Sequence, residues 1–314
     1  MNGEMKTCLV LGAGASLANG LHFRPKRMKD TLPPLDTSFF ETVDRRNIAL
    51  GAWLRRYLTE VLRLDLSTTT LREQPMEQVF ADVFYDFNEA QGTRIYREAY
   101  IDLIQLYVRV LQDTTNWLAE DGKRGGPVGK LLAAASRNAD DLTVMTFNHD
   151  LVIENEIFRR AALSQRWCLD GCYGSMSSDL SRLFPAGGTP MFNYHADGVC
   201  DHSRPITLLK LHGSLNWLVR MNSRRPTATV LSGGSGGGAD LQLINRRQIS
   251  GTSSYVRTGG GRGRSRWDLW PIVVPPVYAK TALRSAMASA WADARAALEA
   301  VSYTHLTLPT TPYV

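Results

Sequence analysis

The sequence has no long hydrophobic run. None of its apolar stretches approaches the roughly 18 residues that a helix needs to cross a bilayer, so we expect no membrane association. The N-terminus bears Glu4 and Lys6 and leads straight into a glycine turn, so it lacks the apolar core of a secretory signal peptide. These absences predict a cytoplasmic protein. With 314 residues and 44% hydrophobic content, the chain can bury a sizeable core.

Cysteine is also scarce, and its spacing disfavours a metal site. The four cysteines are Cys8, Cys168, Cys172 and Cys200. One Cys-x-x-x-Cys pair occurs without a second close pair, whereas structural zinc sites usually combine two such pairs. His195 and His202 lie nearby, so zinc stays open as the weaker alternative. We expect reduced structural thiols and no bound metal.

The net charge of +6 does not come from one basic block. Arginines occur in scattered pairs, and the densest group lies in the glycine-rich segment 259–266. Such groups are more often solvated than functional. Direct nucleic-acid binding is therefore an alternative that we do not favour, although clustering in space would suffice for it.

What the sequence does contain is a short strand that ends in glycines. The run from Cys8 to Leu11 is uninterrupted and apolar, which favours a strand buried on both faces of a parallel sheet. The turn Gly12-Ala13-Gly14-Ala15-Ser16 lets the backbone approach a ligand and presents helix-start amides to a phosphate. Leu17 stands where a Gly-x-Gly-x-x-Gly fingerprint has its third glycine. Both a dinucleotide-binding turn and a glycine turn of another α/β domain remain open.

Two further apolar strands end in polar side chains. Residues 142–147 precede Asn148-His149-Asp150, where Asp150 is expected to cap the next helix, and residues 206–211 precede His212-Gly213-Ser214. Ligands of parallel sheets bind beyond the carboxyl ends of the strands. We therefore predict that Asn148 and His212 face one cleft at the rim where the glycine turn opens. The competing interpretation of His212 is a purely structural histidine.

The segment 38–139, between the first two strands, has a helical pattern. Apolar residues recur at helical spacing in two stripes: Val79, Phe80, Val83, Phe84 and Phe87, and Tyr100, Leu103, Ile104, Tyr107 and Leu111. The segment is too long for a simple crossover and predicts a helical insertion whose aromatic stripes are core. Asp36 or Thr37 is its expected N-cap.

The rest of the chain completes an α/β prediction. Strands at about 7–11, 142–147, 206–211 and 271–274 are expected in one mainly parallel sheet, and residues 280–300 in an alanine-rich helix. Segments 164–205 and 220–268 are loop-rich. Residues 302–314 contain no Lys, Arg, Asp or Glu and resemble translated adapter sequence. We expect one domain over 1–301, followed by a non-native tail.

The three strand-end motifs, in this order, resemble those of the sirtuin family. Residues 12–16 are similar to its Gly-Ala-Gly-x-Ser motif, residues 146–150 to its Thr-x-Asn-x-Asp motif and residues 210–214 to its His-Gly motif. The resemblance spans roughly residues 7–300 by motif order, without the helical insertion. It implies a Rossmann-like domain that takes NAD+ as substrate and breaks the bond between nicotinamide and ribose.

The resemblance also implies roles for the matching residues. The glycine turn would contact the pyrophosphate, and the residues after His212 would lie near the phosphates or the adenosine ribose. Asn148 would order water or the nicotinamide ribose. His212 would be the general base, for which a reference pKa of about 6.5 is suitable. The expected catalytic residues are His212 and Asn148, and the expected cofactor-binding residues are Gly12, Ala13, Gly14, Ala15, Ser16, Asp36, Thr146, Asp150, Gly213 and Ser214.

Several departures separate the chain from protein-deacetylating sirtuins. No cysteine follows Cys200, so their four-cysteine zinc ribbon is missing. Pro34-Leu35-Asp36-Thr37 replaces their phenylalanine-arginine element. These features resemble bacterial sirtuin-like NAD+ hydrolases of antiphage defence, which use water as acceptor. We expect such an enzyme, acting as a homo-oligomer or with a partner defence protein. The alternatives are a non-catalytic nucleotide-binding subunit of a nucleic-acid-guided protein and, less favoured, a protein deacylase.

Overall fold

The computed structural model describes residues 6–23, 32–66, 71–89, 93–120, 125–167, 173–175, 201, 203–221, 241–243, 268–273 and 287–301. These residues form a mixed α/β structure with more helix than strand. The elements, in chain order, are β1 (Lys6–Leu11), α1 (Ala13–Phe23), α2 (Phe39–Arg45), α3 (Ala52–Glu60), α4 (Met76–Glu89), α5 (Arg94–Glu120), α6 (Pro127–Asn138), β2 (Asp141–Thr146), α7 (Val152–Phe158), α8 (Ala161–Ser164), β3 (Ile206–Lys210), β4 (Gly213–Met221), β5 (Leu241–Leu243), β6 (Asp268–Val273) and α9 (Ala288–Ala300).

Strands β1, β2 and β3 form a three-stranded parallel sheet in that order. This confirms that the first three predicted strands share one sheet. The central strand β2 and its neighbour β3 are mostly buried, as their apolar sequences require. Strand β1 is different, because Lys6 and Val10 are exposed and its other residues are half-buried. The expectation that β1 is buried on both faces is wrong, since β1 lies at the edge of the described sheet.

Strands β4, β5 and β6 form a second, antiparallel sheet with β4 in the middle. The prediction that residues 271–274 join the parallel sheet is therefore wrong. Only two residues separate β3 from β4, too few for the crossover that a parallel neighbour needs, so the chain turns away into a new sheet. Pro271 pairs with Leu218 beside a register shift, a place where a missing N–H is tolerated.

Among the described residues between α1 and β2, the structure has the α-helices α2 to α6 and a short 3-10 helix at Asp36–Ser38. Helix α5 packs against α3 and α4. Apart from Phe87, which is half-buried, the residues of both predicted apolar stripes are buried, so their interpretation as core is confirmed. Burial of large aromatic side chains gives this layer its hydrophobic stabilisation.

A buried carboxylate connects this helical layer to the helices beside the sheet. Glu156 on α7 accepts hydrogen bonds from Asn19 Nδ2 on α1 and from the backbone N–H of Gly126 at the start of α6, all at 3.0 Å. Arg159 pairs with the same carboxylate at 3.2 Å. A buried charge needs such partners, so these contacts fix the start of α6 against α1 and α7.

Several sequence predictions fall outside the described residues. They include Cys168, Cys172, Cys200, His195 and His202, most of both loop-rich segments, and residues 302–314. Helix α9 begins at Ala288, within the predicted 280–300 span. No helix among the described residues is long and apolar enough to cross a membrane.

Candidate functional site

The carboxyl ends of β1, β2 and β3 form one rim. Leu11 pairs with Thr146, and Thr146 pairs with Lys210, so the three strands end at the same level. The pairing continues one step further, because the Leu211 N–H donates to the Thr146 carbonyl at 2.9 Å. The segments that contain Asn148 and His212 therefore leave the sheet side by side. Whether both side chains face one cleft stays a prediction.

The glycine turn presents open backbone at this rim. Gly12 joins β1 directly to α1, and the Ala15 N–H donates to its carbonyl at 2.9 Å, which closes the first turn. A Cβ added at Gly12 would meet no atom within 4 Å. Ala13 is exposed, and Gly14 is half-buried. The first amides of a helix lack intrahelical acceptors, so these groups can receive an anion such as a phosphate.

Asn148 ties the end of β2 to the glycine turn. Its Nδ2 donates to the Gly12 carbonyl at 2.9 Å and to Ser16 Oγ at 2.8 Å. Its own backbone N–H donates to Thr146 Oγ1 at 3.1 Å, so the threonine hydroxyl fixes the turn after the strand. Both contacts of Nδ2 are therefore made to the glycine turn, and the Asn148 side chain as a whole is half-buried.

Asp150 belongs to the same hydrogen-bond network. Its Oδ2 accepts the Ser16 hydroxyl at 2.7 Å, and its Oδ1 accepts the Val152 N–H at 3.0 Å. The expected N-cap position falls on Leu151 instead, so Asp150 binds the first residue of α7 from one position before the cap. Both Ser16 and Asp150 are buried. The hydrogen bond between these two side chains fixes α1 relative to the start of α7 at the rim.

His212 is half-buried in a group of aromatic rings. Its ring centroid lies 5.1 Å from that of Phe147, 6.1 Å from His149 and 6.3 Å from Trp291. The indole N–H of Trp291, on α9, donates to the Leu211 carbonyl at 3.0 Å, which fixes the indole beside His212. Phe147 and Trp291 are each more than one third exposed, so these rings form a partly open wall.

A buried ion pair supports the rim from inside. Lys210, at the end of β3, pairs with Glu154 of α7 at 2.8 Å, and its ammonium also donates to the Asp150 carbonyl. Both side chains are almost fully buried. Burial raises the pKa of Glu154, and the positive charge of Lys210 opposes this rise. The pair holds the backbone that follows Asn148.

The remaining predicted residues have different surroundings. Gly213 has φ of +89°, a conformation that favours glycine, and it starts β4 directly after His212. Ser214 is fully buried. Asp36 does not cap its own helix; its Oδ1 accepts the Glu77 N–H at 2.7 Å, near the start of α4. The N-cap prediction was wrong because the cap acts on a helix that begins about forty residues later.

Sequence reasoning missed several residues of this site. The sequence pattern predicts a core position for Tyr107, whose hydroxyl lies 2.7 Å from Nδ1 of His149, and it gives no role in the site to Trp291, His149 or Lys210. One signal was present for Lys210, because a lysine in an apolar strand needs a buried partner. The partners themselves come from distant parts of the chain and leave no local pattern.

In comparisons with protein-family models and with curated proteins, no match to this chain was found. The site is therefore interpreted from its own chemistry. Its polar groups include the first amides of α1, the half-buried Asn148 and the half-buried His212. Within the described residues, no group of three or more His, Cys, Asp or Glu side chains could hold a metal ion. Such a set suits a phosphorylated ligand that also has hydroxyl groups.

Proposed function

We propose that the protein is an NAD+ hydrolase of Rossmann-like fold, which releases nicotinamide and ADP-ribose. The observation on which this rests is the bonding of Asn148 to the glycine turn, on the strand end beside that of His212. It joins a phosphate-binding element to groups suited to a ribose. Taken with the resemblance to sirtuins, this favours NAD+ over a simple phosphate ester.

Each group has one task in the proposed reaction. The amides at the start of α1 bind the pyrophosphate, for which the open space beside Gly12 leaves room. The amide oxygen of Asn148 accepts a hydroxyl of the nicotinamide ribose. His212 accepts a proton from a ribose hydroxyl and thereby stabilises the positive charge that develops on the ring.

The chemistry is a substitution by water at C1′ of the ribose. The bond between C1′ and the pyridinium nitrogen breaks, and its electron pair leaves with nicotinamide, which departs as a neutral molecule. The oxygen of water forms the new bond to C1′ and loses one proton to solvent, while the proton held by His212 returns to the ribose hydroxyl. No oxidant, reductant or metal is needed for this balance.

Incubation of the purified protein with NAD+ tests the proposal directly. Chromatography should show nicotinamide and ADP-ribose in equal amounts, and the His212→Ala protein should release neither. If calorimetry detects NAD+ binding but no nicotinamide is released, even after oligomerisation, the protein is a nucleotide-binding regulatory subunit instead of an enzyme. Depletion of cellular NAD+ during phage infection would place the activity in antiphage defence.

A further inference from the structure

The helical layer reaches the rim through one buried hydroxyl. Tyr107 lies near the middle of α5, and its Oη is 2.7 Å from Nδ1 of His149. The two rings meet edge to face, with centroids 5.5 Å apart and an interplanar angle of 88°. Both side chains are buried. A hydrogen bond this short between buried groups fixes the orientation of the imidazole.

The tyrosine is itself firmly held and uncharged. Its ring packs against Phe39 and Phe80 with centroid distances of 5.9 and 5.6 Å. Burial raises the pKa of the Tyr107 phenol well above its usual value, and the negative charge of Asp150 raises it further. The phenol therefore stays protonated and acts as a neutral partner for His149.

The backbone of His149 is fixed as well. Its carbonyl accepts the Leu215 N–H at 2.9 Å and lies 3.5 Å from the Lys210 ammonium. Among the described residues, the charged and titratable groups placed near His149 include Tyr107 from α5, Asp150 next in the chain, Lys210 from β3 and His212 from the β3–β4 turn. Because its ring and its backbone are both held, the His149 imidazole is fixed in position.

The fixed ring of His149 lies beside His212, the candidate general base. The rings of His149 and His212 have centroids 6.1 Å apart and are tilted by 31°. A buried ring at this distance shields one side of His212 from water. Because two imidazolium charges so close repel each other, protonation of one ring also disfavours protonation of the other.

We propose that Tyr107 and His149 are positioning residues, through which the helical layer orients His212 and sets its protonation. The expected effect on catalysis rests on the proposed function, whereas the effect of the pair on the protonation of His212 does not. A purely structural role for the pair would lower stability when the bond is lost, but it would leave the titration of His212 unchanged.

The test compares two tyrosines of the same helix. Tyr107→Phe removes only the hydroxyl that bonds His149. The matched control is Tyr100→Phe, because Tyr100 is also buried on α5 and its hydroxyl has no hydrogen-bond partner in the described part of the chain. Nitrogen NMR of the histidine rings gives the tautomer of His149 and the titration midpoint of His212, whose signal is assigned with His212→Ala.

We expect one His149 tautomer in wild type and Tyr100→Phe, and a mixture in Tyr107→Phe, where the His212 midpoint also moves. Nicotinamide release should fall roughly tenfold in kcat, with KM changed by less than about twofold, because orientation acts on the reaction rather than on binding. A Tyr107→Phe protein with the wild-type midpoint and kcat overturns the inference.

A second variant keeps the test decisive if Tyr107→Phe does not fold. His149→Asn retains a polar atom toward Tyr107 but removes the ring beside His212. It should fold and shift the His212 midpoint; an unshifted midpoint overturns the inference. If wild-type protein cleaves no NAD+, the proposed function fails, while the NMR measurements still decide whether the pair controls His212.

Discussion

The buried pair of Lys210 and Glu154 allows a quantitative prediction about stability. Lys210→Met removes the ammonium and keeps a side chain of similar length. Among the described side chains, Glu154 then keeps the Tyr173 hydroxyl, which donates to it at 3.4 Å, in addition to its own backbone contact. An uncompensated carboxylate at this depth is too costly to keep, so the variant folds with Glu154 protonated.

Protonation sets the size of the effect. A glutamate with an unfolded pKa of about 4.3 takes up a proton at a cost of about 1.4 kcal/mol for each pH unit above that value. The charge component of the loss is therefore at most about 5 kcal/mol at pH 8 and about 2 kcal/mol at pH 6. Loss of the bonds from Lys210 to the Asp150 and His149 carbonyls adds a component that does not depend on pH.

The sign follows from linkage. The folded variant has a Glu154 pKa above the unfolded value, so between these two values the folded state holds a proton that the unfolded state has lost. Stability of the variant therefore falls as pH rises through this window, and it falls relative to wild type above the raised pKa that Glu154 already has in the wild-type fold. Chemical denaturation followed by circular dichroism at pH 6, 7 and 8 measures the difference.

A double variant provides the control. Lys210→Met with Glu154→Gln buries no charge, so it should recover most of the loss at pH 8 and show no pH-dependent difference from wild type. A Lys210→Met protein that loses less than about 1 kcal/mol at pH 8, or that loses the same amount at pH 6 and 8, would show that Glu154 is not desolvated in the folded protein.

Three further predictions concern the rim. His212→Ala should lower nicotinamide release at least about 100-fold, while calorimetry finds an NAD+ affinity within a few-fold of wild type. Turnover of the variant at the wild-type rate would show that His212 is not the general base. Gly12→Ala meets no steric obstacle, so the unfolding temperature of the variant should stay level or rise slightly. Its NAD+ affinity should fall about tenfold or more. Unchanged affinity would exclude the glycine turn from the site. Asn148→Ala loses two hydrogen bonds to the turn and should cost about 1–3 kcal/mol as well as turnover; a fully active variant would contradict its assignment.

The sequence predicted those parts of the fold that depend on local patterns. The first three strands are short apolar runs, and their parallel pairing was expected because long segments separate them. The two stripes of α4 and α5 were identified as core from their 3.6-residue period alone. What failed depends on distant partners. Residues 271–274 have the composition of a buried strand, but their neighbour is β4, and nothing within the run specifies that choice.

The candidate site divides in the same way. Asn148 and His212 could be chosen from sequence because the carboxyl end of a parallel strand is where ligands bind. The contacts that orient them could not. Tyr107 and His149 are 42 positions apart, and Lys210 and Glu154 are 56 apart. A tyrosine in an apolar stripe and a lysine in an apolar strand each signal a buried polar partner, but not which one.

The hydrogen bonds at the rim also bear on how the site would work. Ser16 bonds to Asp150, and Asn148 to Gly12, across more than 130 positions of the chain. These bonds form on folding, so the glycine turn and the end of β2 are already in place before a ligand arrives. Preorganised dipoles need no reorientation during a reaction, and this is the condition under which they stabilise developing charge best. The same bonds occupy the Ser16 hydroxyl and the Asp150 carboxylate, so the proposed reaction assigns substrate contact to the helix amides, the Asn148 oxygen and His212.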